Sequence, residues 1–384
     1  MDSYSCTLQE VISLYFVLSL IMLKFNKDHT GFYQATRDRV DQYFEENHLS
    51  RHANSMMIFK SVFFLGGAAL FYLLILSGLF SLWTMFIMCI ALGMFSAFIG
   101  FNVCHDALHG SYSSIPFVNH TLGGIFHLLG ANTYNWKISH NVVHHTYTNI
   151  HEHDDDLVIV PGLVSVCPQD RPNYIQRYQQ YYAFLFYGMA ALAWVFTKDF
   201  VRFAKDKVGG IDTSHHPRIE LVKLFFFKIL YYFIVIALPM LLLPITWWQF
   251  LIGFIAMQMA KGFVLGLVFQ LAHIVEGLEF PEPDTAGQME DTWASHQMRT
   301  TANFGINNRL TSFLCGGLNM QIEHHLFPKI CHTHYPALSK IVRKAAGEYG
   351  LPYYENTSFL TALVSHFKVL KRFGKEKLVS THMM

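Results

Sequence analysis

Four long apolar stretches constrain this fold more than any other feature of the sequence. They cover residues 57–80, 83–103, 221–245 and 247–272. A helix needs about twenty predominantly apolar residues to cross a bilayer, and each stretch meets that length. Only 14% of the 384 residues are charged, whereas soluble domains usually carry about a quarter. The sequence therefore predicts an all-α integral membrane protein with four transmembrane helices.

The connections between these stretches predict how the helices pair and how they are oriented. The first two stretches are joined by LFSLW and the last two by LPITW, and neither connection contains a charged residue. Lysine and arginine occur instead before the first pair, between the pairs and after the second pair. Positive residues mark the cytoplasmic side, so both termini are expected there. The prediction is two hairpins with a cytoplasmic helical cap built from residues 104–220 and 273–384.

Three other segments are predicted to lie along the membrane surface or beside it. Residues 181–196 are near the lower length limit for crossing, and a crossing would carry the positive segment that follows to the outside. We therefore expect an in-plane helix there. Residues 11–23 predict an interfacial or packed helix, and residues 30–47 predict an amphipathic one.

The domain boundary is placed between residues 56 and 57. Residues 1–56 would form the N-terminal cytoplasmic and interfacial helices, and residues 57–384 the membrane domain. Lys261 falls inside the fourth apolar stretch, where a charge is costly, and the sequence suggests no acidic partner for it. We expect it to face a polar gap or to reach towards the interface.

Eight histidines recur at spacings that suit metal ligation. HDALH places two histidines four residues apart, which puts both imidazoles on one face of a helix. HNVVHH repeats that spacing with an adjacent third imidazole, and QLAH and QIEHH contribute the others. The eight are His105, His109, His140, His144, His145, His273, His324 and His325. With four crossings all of them emerge at one membrane face, whereas five crossings would separate the first cluster from the last.

The number of imidazoles predicts two metal ions, because one tetrahedral zinc ion takes only three or four ligands. Imidazole binds iron, copper, zinc and nickel alike, so the ligand type leaves the metal open. A redox-active pair beside apolar helices suggests oxidative attack on an acyl chain, for which iron is the usual metal. Carboxylates are expected to accept the second ring N–H of the ligands and so fix their tautomer. The candidates are Asp106, Asp154, Asp155, Asp156, Glu276 and Glu323.

The remaining histidines are expected not to bind metal. His151 and His153 follow the second cluster and are predicted to lie in a loop, while His120 and His127 are expected to be hydrogen-bonded core residues. Surface or interfacial positions are predicted for His215, His216, His296, His332 and His334. The cysteines show no CxxC spacing. Net charge near zero without a basic stripe excludes nucleic acid as a partner.

Several longer motifs resemble those of the membrane fatty acid desaturases. They are HDALHG, WKISHNVVHHTYTNIHEHDDDL, LAHIVEGLEF and HQMRTTANFGINNRLTSFLCGGLNMQIEHHLFPKICHTHYP. The resemblance runs from about residue 30 to 355, and the combination of HxxxH, HxxxHH and QxxHH is highly specific. Gln321 stands where other desaturases have a first histidine. This is similar to the front-end class, which inserts a double bond between an existing one and the carboxyl end.

The resemblance implies a non-haem di-iron centre held by the eight histidines, with molecular oxygen as co-substrate. Gln321 would occupy the variant position, with direct or water-mediated metal contact left open. HHTYTN and RTTANF are similar to delta-6 acyl-lipid and linoleoyl-CoA desaturases, which implies a linoleate-like acyl-lipid or acyl-CoA substrate. The likeness to bacterial enzymes favours a bacterial inner membrane over the endoplasmic reticulum.

The electron donor is expected to be a separate protein. Many front-end desaturases carry a fused cytochrome b5 domain with an HPGG haem motif. No HPGG occurs here, since His216 and Pro217 are followed by Arg218. A ferredoxin, or a cytochrome b5 with its reductase, is therefore the expected partner.

Other functions stay open at the level of sequence. A hydroxylase, ketolase or acetylenase uses the same scaffold, and only the mass of the product separates these reactions from desaturation. A His-rich metal transporter or receptor would place its ligands along a path through the membrane. A membrane zinc hydrolase is disfavoured, because HExxH does not occur.

Overall fold

The computed structural model describes residues 23–157 and 159–375, most of them helical. The helices used below are α1 (Phe32–Glu46), α2 (Ser55–Leu76), α3 (Leu82–His109), α4 (Pro116–Gly124), α5 (133–147), α6 (Gln176–Phe203), α7 (Arg218–Leu242), α8 (Trp247–His273), α9 (Trp293–Thr300), α10 (Arg309–Cys315), α11 (Gln321–Leu326), α12 (Tyr335–Glu348) and α13 (Phe359–Phe373). The predicted helix at 11–23 lies outside the described residues apart from Leu23.

Short strands tie the cap segments to one another. They are β1 (Lys24–Asn26), β2 (Lys207–Val208), β3 (Ile211–Asp212), β4 (Gln288–Thr292), β5 (Asn303–Phe304) and β6 (Glu355–Asn356). β1 pairs with β4 and β5 with β6 in parallel, while β2 and β3 form an antiparallel pair.

Within the described part of the chain, five helices are long and apolar enough to cross a membrane: α2, α3, α6, α7 and α8. Four of them coincide with the predicted apolar stretches to within a few residues, as helix ends usually allow. The fifth, α6, has 28 residues and so exceeds the apolar run 181–196. It is longer because polar residues near both ends continue the helix, where Gln179 bonds to Ser165 and Arg202 bonds to Asp156 in the preceding loop. The protein is mostly helical, with one more span-length helix than predicted.

Local signals in the sequence set the ends of the long helices. Gly78 ends α2 with φ 65°, a left-handed conformation that glycine adopts without a steric penalty. The Ser81 hydroxyl accepts the Thr84 N–H and caps the start of α3. Thr246 and Gln249 form a capping box at the start of α8. These caps explain why the connections between α2 and α3 and between α7 and α8 are short.

Two glycines bring α8 into close contact with its neighbours. A Cβ atom added to Gly93 of α3 would lie 2.1 Å from the Met257 carbonyl oxygen of α8. A Cβ added to Gly262 of α8 would lie 2.1 Å from the Gly188 carbonyl oxygen of α6. Small residues allow membrane helices to approach to backbone contact. α8 is therefore the central helix, against which both α3 and α6 pack.

The predicted amphipathic helix is confirmed in α1, whose buried residues Phe32, Val40 and Phe44 recur at helical spacing. They pack in one cluster with Leu338 and Val342 of α12. The apolar residues of α11 belong to the same cluster. This packing fixes the position of the helix that carries two of the candidate ligands.

Candidate metal centre

The first pair of candidate ligands lies at the end of α3, where the helix changes its geometry. Residues Gly100–Cys104 form a π-helical turn, which the Asn102 side chain supports by donating to the Leu314 carbonyl oxygen. Single π-helical turns inside helices are frequent at functional sites. Beyond this turn a regular turn holds His105 and His109 with their ring centroids 4.6 Å apart. This is the proximity that their spacing predicted.

The second cluster lies on a π-helical stretch of α5, residues Lys137–His144. In a regular helix, histidines four residues apart would point to the same side. The wider π-helical turn makes them point in different directions. The rings of His140 and His144 are 5.0 Å apart, yet their nitrogens belong to different groups of ligand atoms. The ring of His145 is 4.9 Å from that of His140 and lies between the groups.

The other ligands come from elements distant in sequence. His273 is the last residue of α8, and His324 and His325 lie next to each other on α11. Adjacent residues on a helix point about 100° apart, because one turn takes about 3.6 residues. His324 therefore joins the nitrogens of one group and His325 those of the other.

The structure brings all eight histidines together, seven of them in two adjacent groups and His145 between the groups. Within each group the ligand atoms lie within 4.8 Å of one another. The first group consists of His105, His109, His140 and His324, and the second of His144, His273 and His325. The ring of His145 is 4.6 Å from that of His324 and 4.4 Å from that of His325. The arrangement suits two ions with His145 between them.

Most nitrogens that face this centre have no hydrogen-bond partner among the described residues. The buried and unpartnered Nε2 atoms are those of His105, His109, His140, His144, His145 and His324. Buried polar atoms are nearly always paired, so several unpaired atoms at one place need a common partner. A metal ion accepts lone pairs from several imidazoles at once. The residues present therefore fit a pair of metal ions.

Two aspartates that follow the second cluster orient its ligands. The His144 Nδ1–H donates to Asp154 Oδ2 at 2.9 Å, with both side chains fully buried. The His140 Nδ1–H donates to Asp156 at 3.4 Å, and Arg202 bonds the same carboxylate at 2.8 Å. Each bond keeps the ring proton on Nδ1 and leaves the Nε2 lone pair for a metal. The structure thus brings both aspartates to the ligands they were predicted to orient.

Ligands from the other segments use partners that the sequence analysis missed. His273 Nδ1 faces the Thr300 carbonyl oxygen at 3.4 Å, and His325 Nδ1 faces Gln297 Oε1 at 2.7 Å. These oxygens carry no proton, so both imidazoles must donate from Nδ1 and present a lone pair at Nε2. Thr300 and Gln297 belong to HQMRTT on α9. The run of polar residues in that segment was the available signal.

Gln321 lies inside the second group. Its Nε2 atom is 2.9 Å from His273 Nε2 and 3.2 Å from His325 Nε2, while its Oε1 is buried without a partner. Because both imidazoles present lone pairs there, the amide donates to them in this structure. A half-turn of the amide would bring its oxygen, which is able to bind metal, to the same place.

Asp106 belongs to a buried chain of polar groups beside the first group. Its Oδ2 accepts the Nδ1–H of His332 at 2.9 Å, and Lys60 Nζ lies 2.7 Å from His332 Nε2. Its Oδ1 is 3.9 Å from His105 Nδ1. Asp106 is therefore near the ligand it was predicted to orient, but its shorter contacts are to His332.

Three predicted carboxylates have other partners, which corrects their assignment. Asp155 and Glu276 form ion pairs with lysines at 3.4 Å and 3.0 Å. Glu323 accepts hydrogen bonds from Asn303 and Tyr353. All three follow or adjoin the histidine motifs in sequence. In the fold, however, their side chains point away from the imidazoles and towards these other partners.

The prediction of surface or interfacial positions is wrong for His296, His332 and His334, whose exposures are 0%, 3% and 7%. His296 contacts the Thr148 carbonyl oxygen at 2.8 Å and so joins α9 to the loop after α5. Histidine is intermediate in its preference for burial, so the residue type does not tell a buried position from an exposed one.

The described histidines outside the eight stay outside the two groups. His151 pairs with Asp170 at 3.1 Å, and His153 Nδ1 contacts the His151 carbonyl oxygen. Both lie in a loop, as predicted. His127 is buried and hydrogen-bonded as expected, whereas His120 is exposed, which corrects the prediction of a core position.

Burial keeps most ligands in the neutral form that binds metal. Desolvation lowers the pKa of His140 to about 3, and it holds the pKa of His145, His324 and His325 well below the usual value. For His144, burial disfavours the charged form, but the Asp154 carboxylate outweighs that effect and raises the pKa.

Comparison with known proteins agrees with this geometry. A sequence model of the family described as fatty acid desaturase matches residues 81–357. The sn-1 linoleoyl-lipid 6-desaturase of Synechocystis is 35% identical over 94% of this chain and 99% of its own length. The corresponding enzyme of Arthrospira platensis is 32% identical over 90% and 93%. The acyl-lipid (8-3)-desaturase of Physcomitrium patens is 34% identical over 90% and 72%.

The family match covers well over half of the chain and includes every histidine of the two groups. Near-complete coverage of two relatives gives the same assignment. This chain therefore belongs to the fatty acid desaturase family and is an oxidoreductase that desaturates fatty acyl chains.

Proposed function

We propose that the protein is an oxygen-dependent front-end desaturase with a di-iron centre. The observation that carries this proposal is the convergence of eight imidazoles from distant segments, seven in two adjacent groups and His145 between them. Two iron ions bound there would activate molecular oxygen, the oxidant that removes two hydrogens from an unactivated methylene pair and is reduced to two waters with two electrons from the donor. The first group of histidines would hold one ion and the second group the other, with His145 between them.

The protein's own part is to hold the ligands and to exclude water around the acyl chain. The Trp136 ring stacks on His140 with centroids 4.4 Å apart, and Phe126 packs against Trp136 at 5.7 Å. These rings form an apolar wall beside the first group, since Trp136 also contacts His105 and His109. Such a wall suits a hydrocarbon substrate and limits side reactions with water.

A delta-6 position on a linoleate-like acyl group is the proposed regiochemistry. It is supported by similarity, over nearly the whole chain, to two proteins named sn-1 linoleoyl-lipid 6-desaturases. These names favour an acyl group carried on a lipid over one carried on CoA. Gln321 at the start of QIEHH supports the front-end class. A separate ferredoxin, or cytochrome b5 with its reductase, would deliver the electrons.

We infer four crossings, by α2, α3, α7 and α8, with α6 in the membrane plane. Both ends of α6 bond to one loop, which the structure describes at residues 156–157 and 159–165. Near its start Gln179 donates to the Ser165 carbonyl oxygen at 2.7 Å, and near its end Arg202 donates to Asp156 at 2.8 Å. A crossing α6 would carry this irregular loop through the bilayer, where its backbone groups would lack partners. Four crossings leave the cap, the site and both termini on the cytoplasmic side. The membrane that we propose is a bacterial inner membrane.

The catalytic proposal is tested by expression with a matched electron donor and gas chromatography–mass spectrometry of total fatty acids. We expect a gamma-linolenate-type product from linoleate, with a mass two hydrogens below that of its precursor. His144→Ala and His324→Ala should abolish the product, whereas His151→Ala, outside both groups, should retain it. A product that has gained oxygen would instead identify a hydroxylase. Full iron loading and a competent donor without any new double bond would contradict the proposal.

The topology is tested by labelling single cysteines with a membrane-impermeant maleimide in a cysteine-free background. Ser114→Cys, after α3, and Ser214→Cys, after α6, should react from the same side. Ser81→Cys, between α2 and α3, should react from the opposite side. Labelling of positions 114 and 214 from opposite sides would show that α6 crosses.

A further inference from the structure

We propose a second binding site between the membrane helices, in which Lys261 binds the carboxylate of a long-chain fatty acid. The site is a cavity of about 680 Å³ lined by α2, α3, α7 and α8. It extends from Lys261 to Trp83 and Trp248 near the starts of α3 and α8. Three of the eight candidate ligands, His105, His109 and His273, lie at the opposite ends of those two helices. None of them lines this cavity.

The cavity has the character and the dimensions of a site for one acyl chain. Its wall is almost wholly apolar, as Phe86, Val235 and Ile252 illustrate. The volume lies within the range of about 300–1,000 Å³ in which proteins enclose organic ligands. The part of α8 from Trp248 to Lys261 rises about 20 Å at 1.5 Å per residue. One leaflet contributes about half of a hydrocarbon core of roughly 30 Å. The cavity is therefore at least as long as the acyl layer of one leaflet, and a long chain fits lengthwise.

Lys261 gives this cavity a buried amino group that has no carboxylate partner among the described residues. Its side chain is 5% exposed, and its ammonium donates to the Leu129 carbonyl oxygen at 2.9 Å. No carboxylate of the described residues pairs with it. The acidic group of this region, Asp199, bonds Lys228 at 2.8 Å instead. An ammonium has three donors and buried charges are normally paired, so Lys261 is able to take up an anion.

A second donor lies beside the ammonium. The Tyr231 ring lies 5.7 Å from Lys261 Nζ and lines the same cavity. Its hydroxyl accepts a hydrogen bond from Gln258 at 2.5 Å, which leaves the Tyr231 proton available to another acceptor. The amino group and the hydroxyl would offer one donor to each oxygen of a carboxylate.

The chemistry of the cavity favours a fatty acid over other anions. A single cation at the end of a long apolar space matches an amphiphile that has one negative charge and one chain. A chloride ion would neutralise Lys261 but would leave the apolar wall unfilled. A diacyl phospholipid would need room for two chains and several donors for its phosphodiester. The lining contains one charged side chain, that of Lys261.

The test uses the purified full-length protein without metal and a photoactivatable palmitate. We expect cross-links in the part of α8 from Trp248 to Lys261 and in the facing part of α3. Lys261→Met should lower capture about 10- to 100-fold, the range expected for losing a hydrogen bond to a charged group. Lys261→Arg should retain most of the capture, and Lys205→Met, at an exposed lysine, should leave it unchanged. A photoactivatable fatty alcohol, which has no charge, should be captured weakly by all of these variants.

A second perturbation separates binding from misfolding. Ala68→Trp places bulk in the cavity and leaves the lysine in place, so it should also prevent capture. Monodisperse elution and unchanged thermal unfolding would show that each variant is folded. Unlabelled palmitate should compete with the probe, whereas a lysophosphatidylcholine should not. Equal capture by Lys261→Met, equal competition by the lysophospholipid, or cross-links confined to the histidine centre would each overturn the proposal. No step of this test depends on iron or turnover, so its failure would leave the desaturase proposal intact.

Discussion

Replacing Asp154 by asparagine tests whether the buried carboxylate orients a metal ligand. The side chain accepts the His144 Nδ1–H at 2.9 Å, and it also accepts the backbone N–H of Asn149 and of Asp156. Asparagine has nearly the same shape but carries no charge, and its NH2 group would face one of these donors. A hydrogen bond to a charged group is worth about 1.5–3 kcal/mol. Both side chains are fully buried, so solvent does not screen the interaction.

The expected result for Asp154→Asn is a 10- to 100-fold loss of iron affinity, the usual effect of removing a group that orients a ligand. The assay is iron content by mass spectrometry during titration with a competing chelator, together with thermal unfolding of the metal-free protein. Asp155→Asn is the matched control, because its carboxylate forms an ion pair with Lys205 and contacts no ligand. Its iron affinity should equal that of the wild type. Equal iron affinity of Asp154→Asn and Asp155→Asn would refute the reasoning.

Three further perturbations have definite expected outcomes. Lys60→Met leaves the buried chain of His332 and Asp106 without its cation and should destabilise the protein by about 3–5 kcal/mol, measured by thermal unfolding against the exposed Lys205→Met. Gly262→Val forces a Cβ into the α6 backbone and should lower the unfolding temperature and detergent-extracted yield, whereas the same change at the open position Gly66 should not. The metal-free protein should lose stability as the pH falls below about 6.5, because the folded-state pKa of His140 and of three other ligands lies below the unfolded value while only that of His144 is raised. Above that pH the ligands with a lowered pKa are neutral in both states and contribute no pH dependence. Thermal unfolding between pH 8 and 5 measures the trend, and constant stability across this range would contradict it.

The sequence alone determined the membrane character and identified the eight histidines that the structure brings together. Runs of about twenty apolar residues have few stable solutions other than membrane helices, because the bilayer leaves backbone groups to pair within the helix. The eight histidines were also recognisable, since spacing on a helix decides which residues can share a face. The length of α6 was underestimated, because its polar ends bond to loops that the pattern of apolar residues does not reveal.

Only the tertiary structure decided which histidine belongs to which group and what orients it. The π-helical stretch of α5 separates His140 from His144, although their spacing alone predicts a shared face. The partners of His273 and His325 come from α9, a segment that nothing in the histidine motifs identifies. Sequence spacing fixes local direction within one helix, whereas the contacts between ligands and their supporting groups depend on how distant segments pack. The same reason explains why Lys261 appeared only as a costly charge in the sequence and as the end of a lipid-sized cavity in the fold.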